Sequence, residues 1–260
     1  MRAKPVTKPA NDPSHRFSAE EWHARAELAA CYRLLSRYRM TDLTNTHVSV
    51  RLPGPEEHYL LNPYGLLYEE ITASSLVKYD GDGRILDDSS YGLNPAGYAI
   101  HTAVHRAQPD AYCVLHTHTR AGCGVASLED GLLPLNQMSM IFYNRIAYSD
   151  YAYVEQSVSE CDQMVKDLGE WKALVMRNHG LLTTGRTVSE AFVLMFYLDK
   201  SCEIQLDVLS TGRELHLPAP EVCEQAAQGW WVWYKNQPFG QLDWDALVRQ
   251  LNRVDQSYLS

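Results

Sequence analysis

The apolar positions change period along the chain, and each change marks an element. Behind Ser18-Ala19-Glu20-Glu21, a capping-box signature, Leu28, Cys31, Leu34 and Leu35 recur at helical spacing and predict a helix to about residue 38. Next comes a β-rich stretch, in which His47-Val48-Ser49-Val50-Arg51-Leu52 alternates and 59–61 and 75–79 continue the pattern. Asp80-Gly81-Asp82-Gly83 has the composition of a turn between strands. Asn94-Pro95 supplies an N-cap with proline at the first helical position, opening a helix to about residue 107. The run Tyr112-Cys113-Val114-Leu115 predicts a buried strand, 119–155 is mixed, 156–169 reads as helical and 173–177 as a strand. Thr187-Val188-Ser189-Glu190 is a second capping signature, before a long helix to about residue 210. This order predicts an α/β protein with a central, mostly antiparallel sheet layered with helices.

Composition narrows the function classes. A chain of 260 residues with 45% apolar and 21% charged residues can bury one large core. A net charge of −9 argues against a nucleic-acid partner or an anionic membrane surface. No apolar run approaches the roughly 18 residues of a membrane span. The first 16 residues carry lysine and proline but no apolar segment, which predicts a disordered tail and not a signal peptide. Six cysteines without CxxC spacing predict reduced thiols and a cytoplasmic protein.

Three histidines carry the chemistry. His116 and His118 lie two apart at the end of the buried run, so an extended backbone aims both to one face. His179 ends the second apolar run and is followed by Gly180. Two adjacent strand ends bring all three to one point, and three neutral imidazoles with an open position are a usual catalytic zinc set. The spacing alone is equally compatible with ordinary core and surface histidines. His101 and His105, four apart on one helix face, read either as a proton relay or as packed helix histidines. Asn178 reads as a ligand-orienting side chain or as turn chemistry, and Arg120 as a carboxylate anchor or an ion-pair partner. Glu69 and Glu70 read as a solvated pair.

From about residue 22 to 215 the chain resembles the class II aldolase/adducin family. The blocks that carry the resemblance are THVSVR, NPYGLLYEEITASSLVKYDGDG, NPAGYAIHTAVHRAQPDAYCVLHTHTRAG, GLLPL, VMRNHGLLTTGRTVSEAF and CEIQ. The resemblance implies a three-layer α/β/α fold around a mixed sheet. It implies a divalent metal, usually zinc, on His116, His118 and His179, with iron or manganese as other occupants. It also implies a homotetramer with active sites near subunit boundaries. The division expected is a tail over 1–16, the family domain over 17–215, and an aromatic-rich extension over 216–260 packed on the domain or on a neighbouring subunit.

The chain departs from the family's aldolases at coherent places. Gly97 stands where they carry a glutamate, Pro95 and Ala96 where they carry phosphate-binding serines, and His47 where an asparagine is usual. The tyrosine acid that a neighbouring subunit contributes falls near Gln137 or Met138, and the nearest phenol is Tyr143. The resemblance therefore implies a metal-dependent lyase-type enzyme acting on a non-phosphorylated carbonyl substrate, with His47 and Tyr143 as the candidate catalytic side chains. Its alternatives are an iron-dependent decarboxylase or oxygenase on the same fold, and a non-catalytic oligomeric module like the adducin head.

Overall fold

The computed structural model describes residues 13–151, 157–236 and 239–260. Of the tail expected to be disordered, residues 1–12 lie outside the described residues. Pro13–Arg16 instead make a turn of 3-10 helix that leads into Phe17, whose ring stacks on Trp22 and lies under the buried Arg25 guanidinium.

In chain order the helices are α1 (Ala19–Arg37), α2 (Pro95–Ala107), α3 (Arg120–Ala126), α4 (Gln137–Met140), α5 (Asp162–Leu168), α6 (Val188–Ser210), α7 (Pro220–Asn236) and α8 (Gln241–Val254). The strands are β1 (His47–Arg51), β2 (His58–Leu61), β3 (Val77–Asp80), β4 (Cys113–Thr117), β5 (Ala147–Ser149), β6 (Ala173–Met176) and β7 (Gly180–Gly185). They form one seven-stranded sheet in the order β3-β2-β1-β4-β7-β6-β5. All neighbours are antiparallel except β5 and β6, so the sheet is mixed and mostly antiparallel, as expected.

Alternation along the strands sorts the layers. Val48, Val50, Cys113, Leu115, Val175 and Leu181 face α1, α3, α6 and α8. Val114, Leu174, Met176 and Leu182 face α2 and α5. Period two therefore sends His47, Ser49 and His116 toward α2. Helices on both faces make this a three-layer α/β/α sandwich.

The N-caps form as the sequence predicts, with Ser18 accepting from the Glu21 amide at 3.1 Å and Thr187 from the Glu190 amide at 3.1 Å. The reciprocal half of each capping box does not form. Glu21 accepts from Arg25 and Lys78 instead, and Glu190 from Arg186 and Tyr234. Both carboxylates thus tie separate elements together.

Strand β7 was not legible as a strand. It is the direct partner of β4, whereas the predicted strand over 173–177, observed as β6, lies one position further out. It starts at Gly180, a residue poor at building strands, and runs through Thr183-Thr184 to a second glycine, Gly185. The glycine is there for close approach: a Cβ would lie 2.4 Å from the Thr117 carbonyl oxygen and 3.0 Å from His118 Cδ2.

The aromatic stretch forms α7 and α8. Trp231 donates its indole N–H to the Ile141 carbonyl at 2.8 Å, and Trp244 sits edge-on to Phe192 of α6. None of the helices among the described residues is long and apolar enough to cross a membrane.

Arg186, Glu190 and Tyr234 clasp α7 to the start of α6. Glu190 is 2% exposed and accepts from Arg186 at 2.6 Å and from the Tyr234 hydroxyl at 2.9 Å. Glu190→Ala leaves both donors unsatisfied, and a loss of about 1.5–3 kcal/mol is predicted by urea unfolding. An unchanged midpoint and slope would show that the clasp carries no stability.

Candidate metal centre

His116, His118 and His179 arrive by three different routes. His116 lies within β4, opposite His47 of β1 on one side and Leu182 of β7 on the other. His118 follows just beyond the strand end. His179 occupies the tight turn between β6 and β7, where Asn178 adopts a left-handed conformation (φ +55°). The turn is pinned by the Asn178 amide donating to the Ala126 carbonyl and the His179 amide to the Met176 carbonyl, each at 3.0 Å. The Cys123 thiol donates to the His179 carbonyl at 2.9 Å, and burial raises its pKa, so it keeps its proton.

The structure brings the three rings together. Ring centroids are 4.6 Å apart for His116–His118 and 4.8 Å apart for each of them to His179. One nitrogen from each can be chosen so that all lie within 4.8 Å of one another.

Hydrogen bonding fixes which nitrogens carry protons. His116 Nδ1 lies 2.9 Å from the Leu181 carbonyl oxygen, and His118 Nδ1 lies 3.0 Å from Asp42 Oδ2. Both partners only accept, so both Nδ1 atoms donate, and in the neutral rings both Nε2 atoms are bare. Those two Nε2 atoms are 2.8 Å apart. Two lone pairs at that distance repel unless a proton or a cation lies between them. Burial also pushes His116 well below its ordinary pKa and His179 down to about 4, keeping those two rings in the neutral form that ligates metals. This donor set fits a divalent cation. Asp42 would act on such an ion through His118, the carboxylate–histidine pairing common behind metal ligands.

The rings open on a cavity of about 680 Å³, also lined by Asp42, Asn45, His47, Tyr64, Asn94, Pro95, Ala96, Ile100, Cys123, Tyr151 and Asn178. Among the described residues no lysine or arginine lines it, and Asp42 is its only carboxylate. His47 lines the wall beside the three, its ring 5.1 Å from that of His116. Gly97 lies directly behind it: a Cβ there would stand 2.8 Å from His47 Cδ2. The two departures from the family pattern are thus one departure, the imidazole filling the space that glycine leaves.

Other residues fall elsewhere. Tyr143 is half-buried in the turn after α4 and does not line this chain's cavity; among the described residues the phenols that do are Tyr64 and Tyr151, the latter ring 6.0 Å from His179. Arg120 lines a separate cleft with Arg39, Asp199 and Glu203. Asn178 is exposed and serves the turn, and Glu69 and Glu70 are exposed. Sequence reasoning missed Asp42, which sits in a polar loop 76 positions from His118 with no periodicity to mark it.

The layered α/β fold carries a cluster of three histidines that could hold a metal ion. The model of the Class II Aldolase and Adducin N-terminal domain matches residues 26–206, and the chain belongs to that family. A Caulobacter vibrioides protein provisionally named as a class 2 aldolase is 42% identical over 243 residues, covering 94% of each chain. Alpha-adducin of Rattus norvegicus is 39% identical over 211 residues, which are 80% of this chain but 29% of the adducin. The crystal structure of an aldolase II superfamily protein from Pseudomonas syringae superposes with a TM-score of 0.89 at 44% identity, over 95% of this chain and 98% of that one. L-fuculose 1-phosphate aldolase from Glaciozyma antarctica, 23% identical over 98% of this chain and 96% of its own, shares the fold with a TM-score of 0.77.

Gly97→Glu is predicted to displace His47 and destabilise the chain by about 1–3 kcal/mol through overpacking. Adding His47→Asn relieves the clash, so a double-mutant cycle of unfolding free energies should show favourable coupling of about 1 kcal/mol or more. Simple additivity would mean that the two positions do not share space.

Proposed function

We propose that this chain is a metal-dependent enzyme of lyase type that activates the carbonyl of a non-phosphorylated small molecule. One observation carries the reading: three imidazoles, two with bare Nε2 atoms set by hydrogen bonds on the far side of the ring, converge on an open cavity. His116, His118 and His179 would hold the ion, zinc by preference of the donor set, with iron or manganese also admitted. A divalent ion there supplies Lewis-acid polarisation of a substrate carbonyl.

The chain's own residues do the rest. Asp42 holds His118 in the ligating tautomer. His47, the cavity imidazole outside the set of three, takes the place of the carboxylate missing at Gly97 and accepts a proton from substrate. Tyr64 and Tyr151 offer hydroxyls, and Tyr143 of a neighbouring copy is the candidate acid. A wall without lysine or arginine among the described residues suits an uncharged hydroxycarbonyl better than a sugar phosphate. A homotetramer in the cytoplasm completes the reading. A second reading, a non-catalytic module like the adducin head, is favoured by Gly97 and by the adducin similarity.

Metal content separates the two. Protein purified without added metal should carry about one ion per chain, and His116→Ala and His179→Ala should lose it. Asp42→Asn should keep all three ligands and bind about 10–100-fold more weakly. The element found, zinc or iron, selects between lyase and oxygen-dependent chemistry for substrate screening. Wild-type protein without stoichiometric metal, even after metal is added back, would leave the module as the better account.

A further inference from the structure

Behind the cavity wall, four side chains and one carbonyl form an unbroken buried chain. His47 Nδ1 is 2.7 Å from His101 Nε2, and His101 Nδ1 is 2.6 Å from Ser49 Oγ. Ser49 Oγ is 2.8 Å from His105 Nε2, and His105 Nδ1 is 2.9 Å from the Ala111 carbonyl oxygen. None of these side chains belongs to a residue more than 2% exposed. The pattern comes from two periodicities: His47 and Ser49 share a face of β1, and His101 and His105 share a face of α2.

The protons can be placed from the carbonyl end. Ala111 only accepts, so His105 donates from Nδ1 and its Nε2 accepts. The single hydroxyl proton of Ser49 goes to that Nε2, so the Ser49 oxygen accepts from His101 Nδ1–H. His101 Nε2 is then bare and accepts from His47 Nδ1–H. Any other arrangement of neutral rings sets two lone pairs or two protons face to face. At the inner end of the chain burial favours the neutral ring, lowering the pKa of His105 to about 3.

We infer that this chain is a tautomer lock, holding His47 as its Nδ1–H form and presenting an unprotonated Nε2 to the cavity as the proton acceptor that stands in for the carboxylate absent at Gly97. The inference rests on the enzyme reading above. Among the described residues His47 Nε2 has no hydrogen-bond partner, and the ring lines the cavity. In the step it serves, a proton leaves a substrate hydroxyl or carbon, the electron pair stays on the substrate, and an N–H bond forms at Nε2. His47 then carries the positive charge. His101, Ser49 and His105 do not line the cavity and are positioning residues.

Long-range 15N–1H NMR of histidine-labelled, metal-free protein tests the lock. Wild type should show His47, His101 and His105 all as Nδ1–H tautomers. His101→Leu should release His47 into a tautomer mixture, whereas His101→Gln, whose amide oxygen can accept from the same Nδ1–H, should keep it locked. Added zinc should move the Nε2 resonances of His116, His118 and His179 and leave His47 uncoordinated. An Nε2–H tautomer for His47 in wild type, an unchanged tautomer in His101→Leu, or direct zinc coordination by His47 would each overturn the proposal. If His101→Leu does not fold, the wild-type tautomers still decide. Failure to bind zinc would remove the enzyme reading while leaving the tautomer result to stand by itself.

Discussion

Strand β4 is paired along both edges, to β1 and to β7, and covered on both faces, by α6 and α3 below and α2 above. A strand confined in this way has no freedom of register, because a slip of one residue would move every side chain to the opposite layer. The histidines inherit that rigidity. His116 is held inside the strand, His118 leaves its end, and the β6–β7 turn is pressed so closely against Thr117 that only a glycine fits at position 180. The site is placed by backbone pairing, with side-chain hydrogen bonds adding orientation.

Because the frame is rigid, polar groups inside it must find partners where they stand. The α2 face of β1 carries His47 and Ser49, where a sheet usually buries aliphatic side chains, and α2 answers with His101 and His105. Burying four such side chains is tolerable only if nearly every donor meets an acceptor. That condition makes the identity of each member depend on the next. It also ties the glycine at position 97 to the imidazole at position 47, since a Cβ at 97 would stand 2.8 Å from His47 Cδ2.

Much of this was legible beforehand. The caps at Ser18, Asn94 and Thr187, the alternation in β1, and the HxH at the end of an apolar run are local signals, and local signals survive into the fold. The resemblance supplied the layers and the partner for the HxH. What stayed hidden was non-local. Asp42 meets His118 across 76 positions, and β7 was masked by glycines and threonines whose reasons lie in other strands. The glutamates of both predicted capping boxes also bind distant partners, Glu21 the Lys78 ammonium 57 positions away and Glu190 the Tyr234 hydroxyl 44 positions away, which no pattern within four residues can reveal. His101 and His105 were visible as a pair, but Ser49 between them was not, since it belongs to another element.

The seam between α1 and α8 has a consequence for how the chain is made. Helix α8 covers α1, Arg33 meets Asp255 at 2.7 Å across 222 positions, and the carbonyls of Tyr258 and Ser260 accept from the amides of Ala73 and Ser74. Helix α1 therefore leaves the ribosome with an apolar flank whose cover is not yet synthesised. Its docking cannot finish until translation has passed residue 250. Until then the nascent chain exposes a sticky surface of the kind that chaperones recognise, and slow elongation over α7 and α8 would lengthen that exposure.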